Sequence, residues 1–391
     1  MGLNPALAHA LSREQRFFIQ PESTPGTFVR ATSASAAKML KFTSGFDWER
    51  IERKDNRDSR SLYEQILGKQ KIDWELESYL IPSGTAGTAP DHQDLFQAVF
   101  GTETVSGGVS VTYALNNTQS GRQTVSLTRW ANVIMETLRG CNVNSMKISA
   151  KGSEPAMVSF KGSAYGLCLT GNSTLDGAMS ATASMVVESG DEYGFEGHAT
   201  FGSIVQVGAN TNSGTGYMVT ARTGTTATLE ATLSAADAAD VLPFAPSETV
   251  VGSPIGGILG SMSIAGTTVP IIDFEVELDN GDKLIDDELG QQTTTDIIPG
   301  NRVVKGMATV RLRRDMVRYF TARKNSSFAT RDLAVVLGTT AGSIVTVNID
   351  RAEMTFASLE QPDGDSFTGQ LPFKALASSS TASDELNIVF T

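Results

Sequence analysis

Short strand-like words spelled out in the first half of the chain return, in the same order, in the second. Asp47-Trp48-Glu49 is answered by Asp273-Phe274-Glu275. An alternating run opening at Gly68 and carrying Ile72, Trp74, Leu76 and Tyr79 is answered by one opening at Gly300 and carrying Val304, Gly306, Ala308, Val310 and Leu312. The apolar helical turn Leu95-Phe96-Gln97-Ala98-Val99-Phe100 has its counterpart in Met316-Val317-Arg318-Tyr319-Phe320. Met146-Lys147-Ile148-Ser149 is followed by Ser159-Phe160-Lys161-Gly162, and Met354-Thr355-Phe356-Ala357 by Ser366-Phe367-Thr368-Gly369. Such a collinear set reads as a tandem repeat of one β unit. The alternative is that two half-buried β units share a period-2 pattern for ordinary packing reasons.

A length of 391 residues exceeds what one hydrophobic core usually serves, so two or three domains are expected. Gly, Ala, Ser, Thr and Val dominate, aromatics make up 7%, and tight turns between short strands suit that mixture better than a helical bundle. The fold class is mainly β. A formal charge of −12, spread along the chain, disfavours gripping a polyanion through its phosphates. Cys141 and Cys168 lie in apolar surroundings without a CxxC or His spacing, and both read as buried free thiols. No apolar run long enough to span a bilayer occurs, and the polar start of the chain matches neither a secretory leader nor a myristoylation site, Ala6 standing where Ser or Thr is needed. The expectation is a protein made and folded in a cytoplasm.

Residues 1–25 read as an N-terminal arm in which Asn4 and Pro5 open a short helix over 3–20, either docked elsewhere or part of a core. A first module spans 26–165, with loops at Ser83 to Pro90 and Thr102 to Gly121. In its last strand Val158, Phe160, Gly162 and Ala164 face one way, and Ser159, Lys161 and Ser163 the other. Residues 166–262 read as an inserted small β domain or decoration, with strand words 204–207 and 217–220 around a Gly- and Asn-rich turn and a short helix within 232–240. A second module spans 263–391 and closes on a strand in 384–390.

Glu22-Ser23-Thr24-Pro25-Gly26-Thr27 near the start, a charged loop, a Gly-opened strand running to the Leu95–Gly101 helix word, and Arg139-Gly140-Cys141-Asn142-Val143 leading into strands together resemble the major tail tube proteins of long-tailed, siphovirus-type bacteriophages. The resemblance covers both modules and omits the middle segment. It implies two tandem tail-tube-type β-sandwich or barrel modules, each with a flanking short helix. It implies a structural virion protein that self-assembles into stacked rings, its strands joining into an inner barrel. The partners it implies are further copies of the chain, a tape-measure protein in the lumen, tail terminator and tail-tip proteins, and double-stranded DNA passing without specific binding. No cofactor and no membrane are implied; the place is a non-contractile phage tail, assembled in the host cytoplasm. If six modules make a ring, three chains of two modules supply it.

The contact residues follow from charge. Arg50, Arg53, Lys54, Arg57 and Arg60 stand in the charged run 49–60, where the resemblance places a stacking loop; otherwise the run is a solvated loop. The acidic stretch of the second half, Asp279 to Asp282 with Asp286, Asp287 and Glu288, lacks EF-hand spacing and reads as a rim that pairs with the basic loop rather than as a metal site. Arg311, Arg313, Arg314 and Arg318 read as inter-subunit ion-pair partners before DNA ligands. Trp48, Trp74 and Trp130 read as core or interface aromatics. Gly256 to Gly260 is followed by strand-like sequence without Lys-Ser/Thr, unlike a phosphate loop. His9, His92 and His198 stand far apart and no nucleophile motif occurs, so the chain does not read as an enzyme. The competing reading is a β-rich tail or extracellular module that binds a host receptor or glycan through the middle segment.

Overall fold

The computed structural model describes residues 14–53, 61, 64–117, 122–190, 194, 204–206, 216–236, 241–242, 245–249, 252–285, 288–290, 296–314, 323–324, 327–328, 330–354, 358–360 and 367–391. Strands account for 57% of the structure and helices for 6%, so the protein is mainly β.

The first half supplies strands β1 (Arg16–Pro21), β2 (Ala36–Ala37), β3 (Lys41–Glu52) and β4 (Gln65–Tyr79). Helix α1 (Gln93–Phe100), the hairpin β5 (Gly101–Ser106) and β6 (Ser110–Leu115), and strands β7 (Val125–Ala131), β8 (Ile134–Cys141), β9 (Ser145–Lys151), β10 (Met157–Ser163) and β11 (Gly166–Gly171) follow. The middle segment holds β12 (Ser173–Thr174), β13 (Met179–Val186), β14 (Ile204–Gln206), β15 (Gly216–Thr223), β16 (Thr226–Ala236) and β17 (Val241–Leu242). The second half holds β18 (Ser261–Ile264), β19 (Thr267–Val269), β20 (Ile271–Asp279), β21 (Lys283–Leu284), β22 (Ile297–Ile298), β23 (Val303–Arg311), β24 (Arg323–Lys324), β25 (Ser327–Phe328), β26 (Thr330–Leu337), β27 (Val345–Met354), β28 (Ser358–Glu360), β29 (Thr368–Ala375) and β30 (Asn387–Phe390).

One antiparallel pairing pattern occurs twice. In the first half β1 pairs with β2 and β7, β7 with β8, β8 with β11, β3 with β4, β4 with β10, and β10 with β9. Substituting β18, β19, β20, β23, β26, β27, β28, β29 and β30, in chain order, for β1, β2, β3, β4, β7, β8, β9, β10 and β11 reproduces every one of these pairings. Each half therefore has two layers. The layer β3-β4-β10-β9 runs straight on into β20-β23-β29-β28, because β9 pairs with β20 from Asp273↔Lys151 to Asp279↔Ser145.

Alternation explains these strands: Met146, Ile148 and Ala150 of β9 and Phe274, Val276 and Leu278 of β20 are buried, with polar residues between them. Their apolar faces belong to a single hydrophobic cluster that runs through both halves. Helix α1 sits where the halves meet. It buries Leu95, Phe96, Val99 and Phe100 at i, i+3, i+4 spacing and stops at Gly101, whose φ of 87° provides the left-handed cap. The Phe96 ring lies 5.3 Å from Phe160 of the first half and 5.5 Å from Phe390 of the second.

Several sequence expectations change. The N-terminal helix over 3–20 gives way, from Arg16 on, to β1, whose Phe17, Phe18 and Ile19 are buried and which lies between β7 and β2 in the first half's second layer; residues 1–13 lie outside the described region. The 102–121 loop contains the β5–β6 hairpin, turned at Gly107-Gly108. β6 then pairs with β30 of the second half. The middle segment is shorter than 166–262, because β11 pairs with β8 and β18 with β26. Within it β13-β16-β15-β14 form a separate sheet. Residues 232–236 are strand rather than helix: pairing with β13, up to Met179↔Ala236, overrides the Ala-rich helical propensity. The words 204–206 and 217–220 do form a hairpin. Trp74 is a core residue, and both cysteines are buried free thiols.

Candidate assembly surface

The continuous layer ends in two unequal edges. β3 pairs with β4 alone among the described strands, presenting a twelve-residue edge from Lys41 to Glu52. At the far end β28 pairs with β29 alone among them. β28 holds the place in the second half that β9 holds in the first, and β3 the place that β20 holds in the second. The β9·β20 seam inside the chain is thus a worked instance of one half's last strand joining the next half's first. An edge strand carries a row of backbone donors and acceptors that only another strand satisfies as a ladder.

The face of this layer turned from the core is polar. Cross-strand pairs tie it together: Lys161 Nζ to Glu75 Oε1 at 2.9 Å, Lys147 Nζ to Glu275 Oε2 at 2.8 Å across the seam, and Lys305 Nζ to Glu277 Oε2 at 3.2 Å. The hydrogen bond to the Glu75 carboxylate holds the Lys161 ammonium above the usual lysine range. Depressions of about 810 and 550 Å³ lie on this face, the first bordered by Asp47, Lys71, Asp73 and Lys161, the second by Glu77, Lys147 and Glu277. Each basic side chain named is spent on an acidic neighbour, so the surface offers little free positive charge to a polyanion.

Strand register sorts the charged candidates to opposite ends of the layer. The β3–β4 connection leaves from Glu52↔Gln65, and the β20–β23 connection from Asp279↔Val303, beside Ser145 of β9. Both hang from one end. The described ends of the two connections thus leave the layer on the same side, with β4, β10 and β9 between β3 and β20. Arg50 lies in β3 and is exposed; Arg53 Nη1 pairs with Glu64 Oε2 at 2.8 Å, within its own hairpin. Lys54, Arg57, Arg60, Asp286, Asp287 and Arg318 lie outside the described residues. Glu288 is exposed. Arg311, Arg313 and Arg314 are exposed at the opposite end, past Arg311↔Thr368, and Arg313 Nη2 donates to the Thr268 carbonyl at 3.0 Å.

The near part of the acidic stretch has turned inward. Asp282 is 2% exposed and takes both Arg122 nitrogens, at 2.6 and 2.7 Å. Asp279 accepts the Gly281 N–H at 2.8 Å, and Asn280 Nδ2 donates to the Val99 carbonyl of α1 at 3.1 Å. This stretch locks the halves together, a role the sequence hid because Arg122 sits in a polar loop more than a hundred residues away.

Chemistry of other kinds is thinly represented. Among the described residues no group of three or more His, Cys, Asp or Glu is placed to hold a metal ion. His92 is 1% exposed, its Nε2 against the Lys38 carbonyl at 2.8 Å, and burial pushes its imidazole below the usual range. No described helix is long and apolar enough to cross a membrane. No protein-family model matches the chain, and no curated protein is significantly similar to it.

Proposed function

We propose that this chain is a structural subunit of a phage tail tube, carrying two copies of one tail-tube-type module, and that three chains close into a pseudo-sixfold ring. The observation that carries the reading is the twice-used pairing pattern joined at β9·β20. A head-to-tail contact that already operates once within the chain, and whose two sides meet no further described strand at β28 and β3, repeats around an axis until it closes. In that ring β28 of each chain adds to β3 of the next. The Lys–Glu face then lines the lumen, where it lets double-stranded DNA slide past a wall on which Lys147, Lys161 and Lys305 are held by carboxylates. The separate β13-β16-β15-β14 sheet forms a decoration of the tube.

Negative-stain microscopy of the purified protein tests the proposal. Class averages are expected to show rings with a central hole, threefold symmetry and six similar lobes, some stacked into tubes. A compact, monodisperse particle that never polymerises overturns it in favour of a receptor- or glycan-binding module; rings of six whole chains overturn the pseudo-sixfold closure.

A further inference from the structure

We infer that rings of this protein stack through apolar contacts: the side chains exposed at one end of the continuous layer, Ile51, Ile66, Leu289 and Ile298, meet those exposed at its other end, Leu40, Ile258, Leu259 and Phe367, on the next ring. The inference rests on the tube reading and adds to it the chemistry that holds one ring on another.

Placement carries the argument. Twelve large apolar side chains are exposed among the described residues, and these eight lie at the two ends of the layer, four at each. Ile51 pairs with Ile66 near the far end of the β3–β4 hairpin, and Leu289 and Ile298 stand in the β20–β23 connection, which leaves the layer on the same side. At the opposite end Leu40 precedes β3, its N–H on the Glu77 carbonyl, and Phe367 precedes β29, its carbonyl accepting the Leu312 N–H. Ile258 and Leu259 sit in a single helical turn whose Gly257 N–H donates to the Glu154 carbonyl, just past Lys151 of β9. The other four are on or between β5, β6, β8 and β11, outside this layer. Scattered exposed apolar residues are ordinary; clustered ones mark contact sites.

The occupant follows from the layer itself. Its side edges, β3 and β28, are used in closing the ring, so its two ends are what remain, and unlike ends join head to tail without limit. Charged neighbours at these ends are engaged within the chain. Arg53 is held by Glu64 at 2.8 Å, Lys151 by Glu154 at 3.6 Å, and Arg313 by the Thr268 carbonyl at 3.0 Å. Burial of aliphatic surface supplies the driving force, and salt does not screen it. Contacts too small to hold two chains alone act together around a ring.

Two one-ended variants test this. I51T/I66T/L289S/I298T strips one end and I258S/L259S/F367S the other. Each is expected to make rings and to lower the fraction of rings found in stacks about tenfold. Mixed after assembly, the two variants join intact end to intact end and stop, giving double rings and nothing longer. Stacks of the natural protein persist at about 1 M NaCl, where the screening length is about 3 Å. Normal stacking by either variant overturns the inference. So do stacks that dissolve in high salt, and mixed rings that stay single or run on into tubes. If a variant makes no rings, its shorter form, I51T/I66T or I258S/L259S, takes its place, with a loss of roughly threefold or more expected and undiminished stacking as the overturning result. Failure of the natural protein to form rings at all overturns the tube reading itself, and is told apart at the first step.

Discussion

The Glu22 carboxylate accepts a hydrogen bond from the backbone N–H of Gly140 at 2.8 Å, joining residues 118 positions apart. The same carboxylate, 6% exposed, also accepts from the Gly26 N–H at 2.8 Å and from the Thr124 and Ser126 hydroxyls at 2.7 Å each. Tyr165 covers the arrangement, its ring so close that a Cβ on Gly26 would lie 2.9 Å from it and one on Gly140 2.4 Å. The bond ties the strand-to-loop corner after β1 to the end of β8, fixing the first half's second layer against its own N-terminal strand.

Replacing Glu22 by Ala leaves four donors, three of them buried, facing a void, and the expected loss is about 3–5 kcal/mol, the range for breaking a buried charged network from one side. Glu22→Gln keeps one acceptor oxygen, and the Thr124 or Ser126 hydroxyl can rotate to receive the new amide, so it loses less than half as much. Urea unfolding curves of the two variants against the natural protein check the order; equal losses would mean that the charge, not the acceptor count, holds the corner.

Gly140→Ala is strained twice over, by a φ of +62° and by contact with the Tyr165 ring. The cost is about 2 kcal/mol or more, with the left-handed backbone alone accounting for roughly 1. Combining it with Tyr165→Ala removes the clash with the ring, leaving the 2.8 Å approach to the Cβ of residue 165 and the backbone term. A double variant less damaged than the sum of its parts is expected; strict additivity would show that the ring moves aside at no cost.

The two words that this bond connects, Glu22 to Thr27 and Arg139 to Val143, were visible in the sequence, but not that they touch. Repetition was legible for the same reason and blurred for another. The words at Asp47 and Asp273 and at Gly68 and Gly300 fall on or beside strands holding matching places in the pairing pattern, whereas Met146 lies in β9 and Met354 ends β27, just ahead of β28, the counterpart of β9. The word at Ser159, however, matches the wrong phenylalanine. Phe160 pairs with Met146, and the residue paired with Met354 is Phe373, not Phe367, which is 49% exposed just before β29. Phe160-Lys161 is answered by Phe373-Lys374, because burial in the ladder, not spacing from the preceding word, selects the position. The counterpart of α1, Met316 to Phe320, lies outside the described residues. The hairpin β5–β6 escaped notice because its strands are rich in Thr, Ser and Gly, and what makes them strands is the edge of β30, a long-range partner.

Burial, with Glu103 nearby, pushes the Asp94 carboxyl from 3.8 up to about 6. The folded state therefore holds this proton more tightly than the unfolded chain does, and stability falls as pH rises from about 4 to about 6, then levels. Asp94→Asn removes the titration. The variant is expected to melt higher than the natural protein at pH 7 and to lose that advantage below about pH 4. A difference that stays constant between pH 4 and pH 7 would show that Asp94 is not the group responsible.

Arg122 and Asp282 form a two-pronged tie between the halves, and its worth is set by what surrounds it. The pair is 15% and 2% exposed, and Arg122 also donates from Nη2 to the Val143 carbonyl at 2.9 Å, while Asn142 Nδ2 donates to Asp282 at 3.0 Å. Removing either partner strands the other charge in a dry place. Arg122→Ala and Asp282→Ala are each expected to cost about 3–5 kcal/mol, and the double variant less than their sum, since it leaves no stranded charge. The loss also falls at a defined place. The Asp282 backbone N–H donates to Asn144 Oδ1 at 2.8 Å, immediately before β9, so breaking the pair loosens the start of the β9·β20 seam before the strands far from it. Hydrogen exchange in Arg122→Ala should accelerate first at Ser145–Ile148 and Val276–Asp279, with β7 and β26 protected as before. Uniform acceleration across the whole layer would show that the halves do not join through a separable seam, and the ring built by repeating that seam would lose its template.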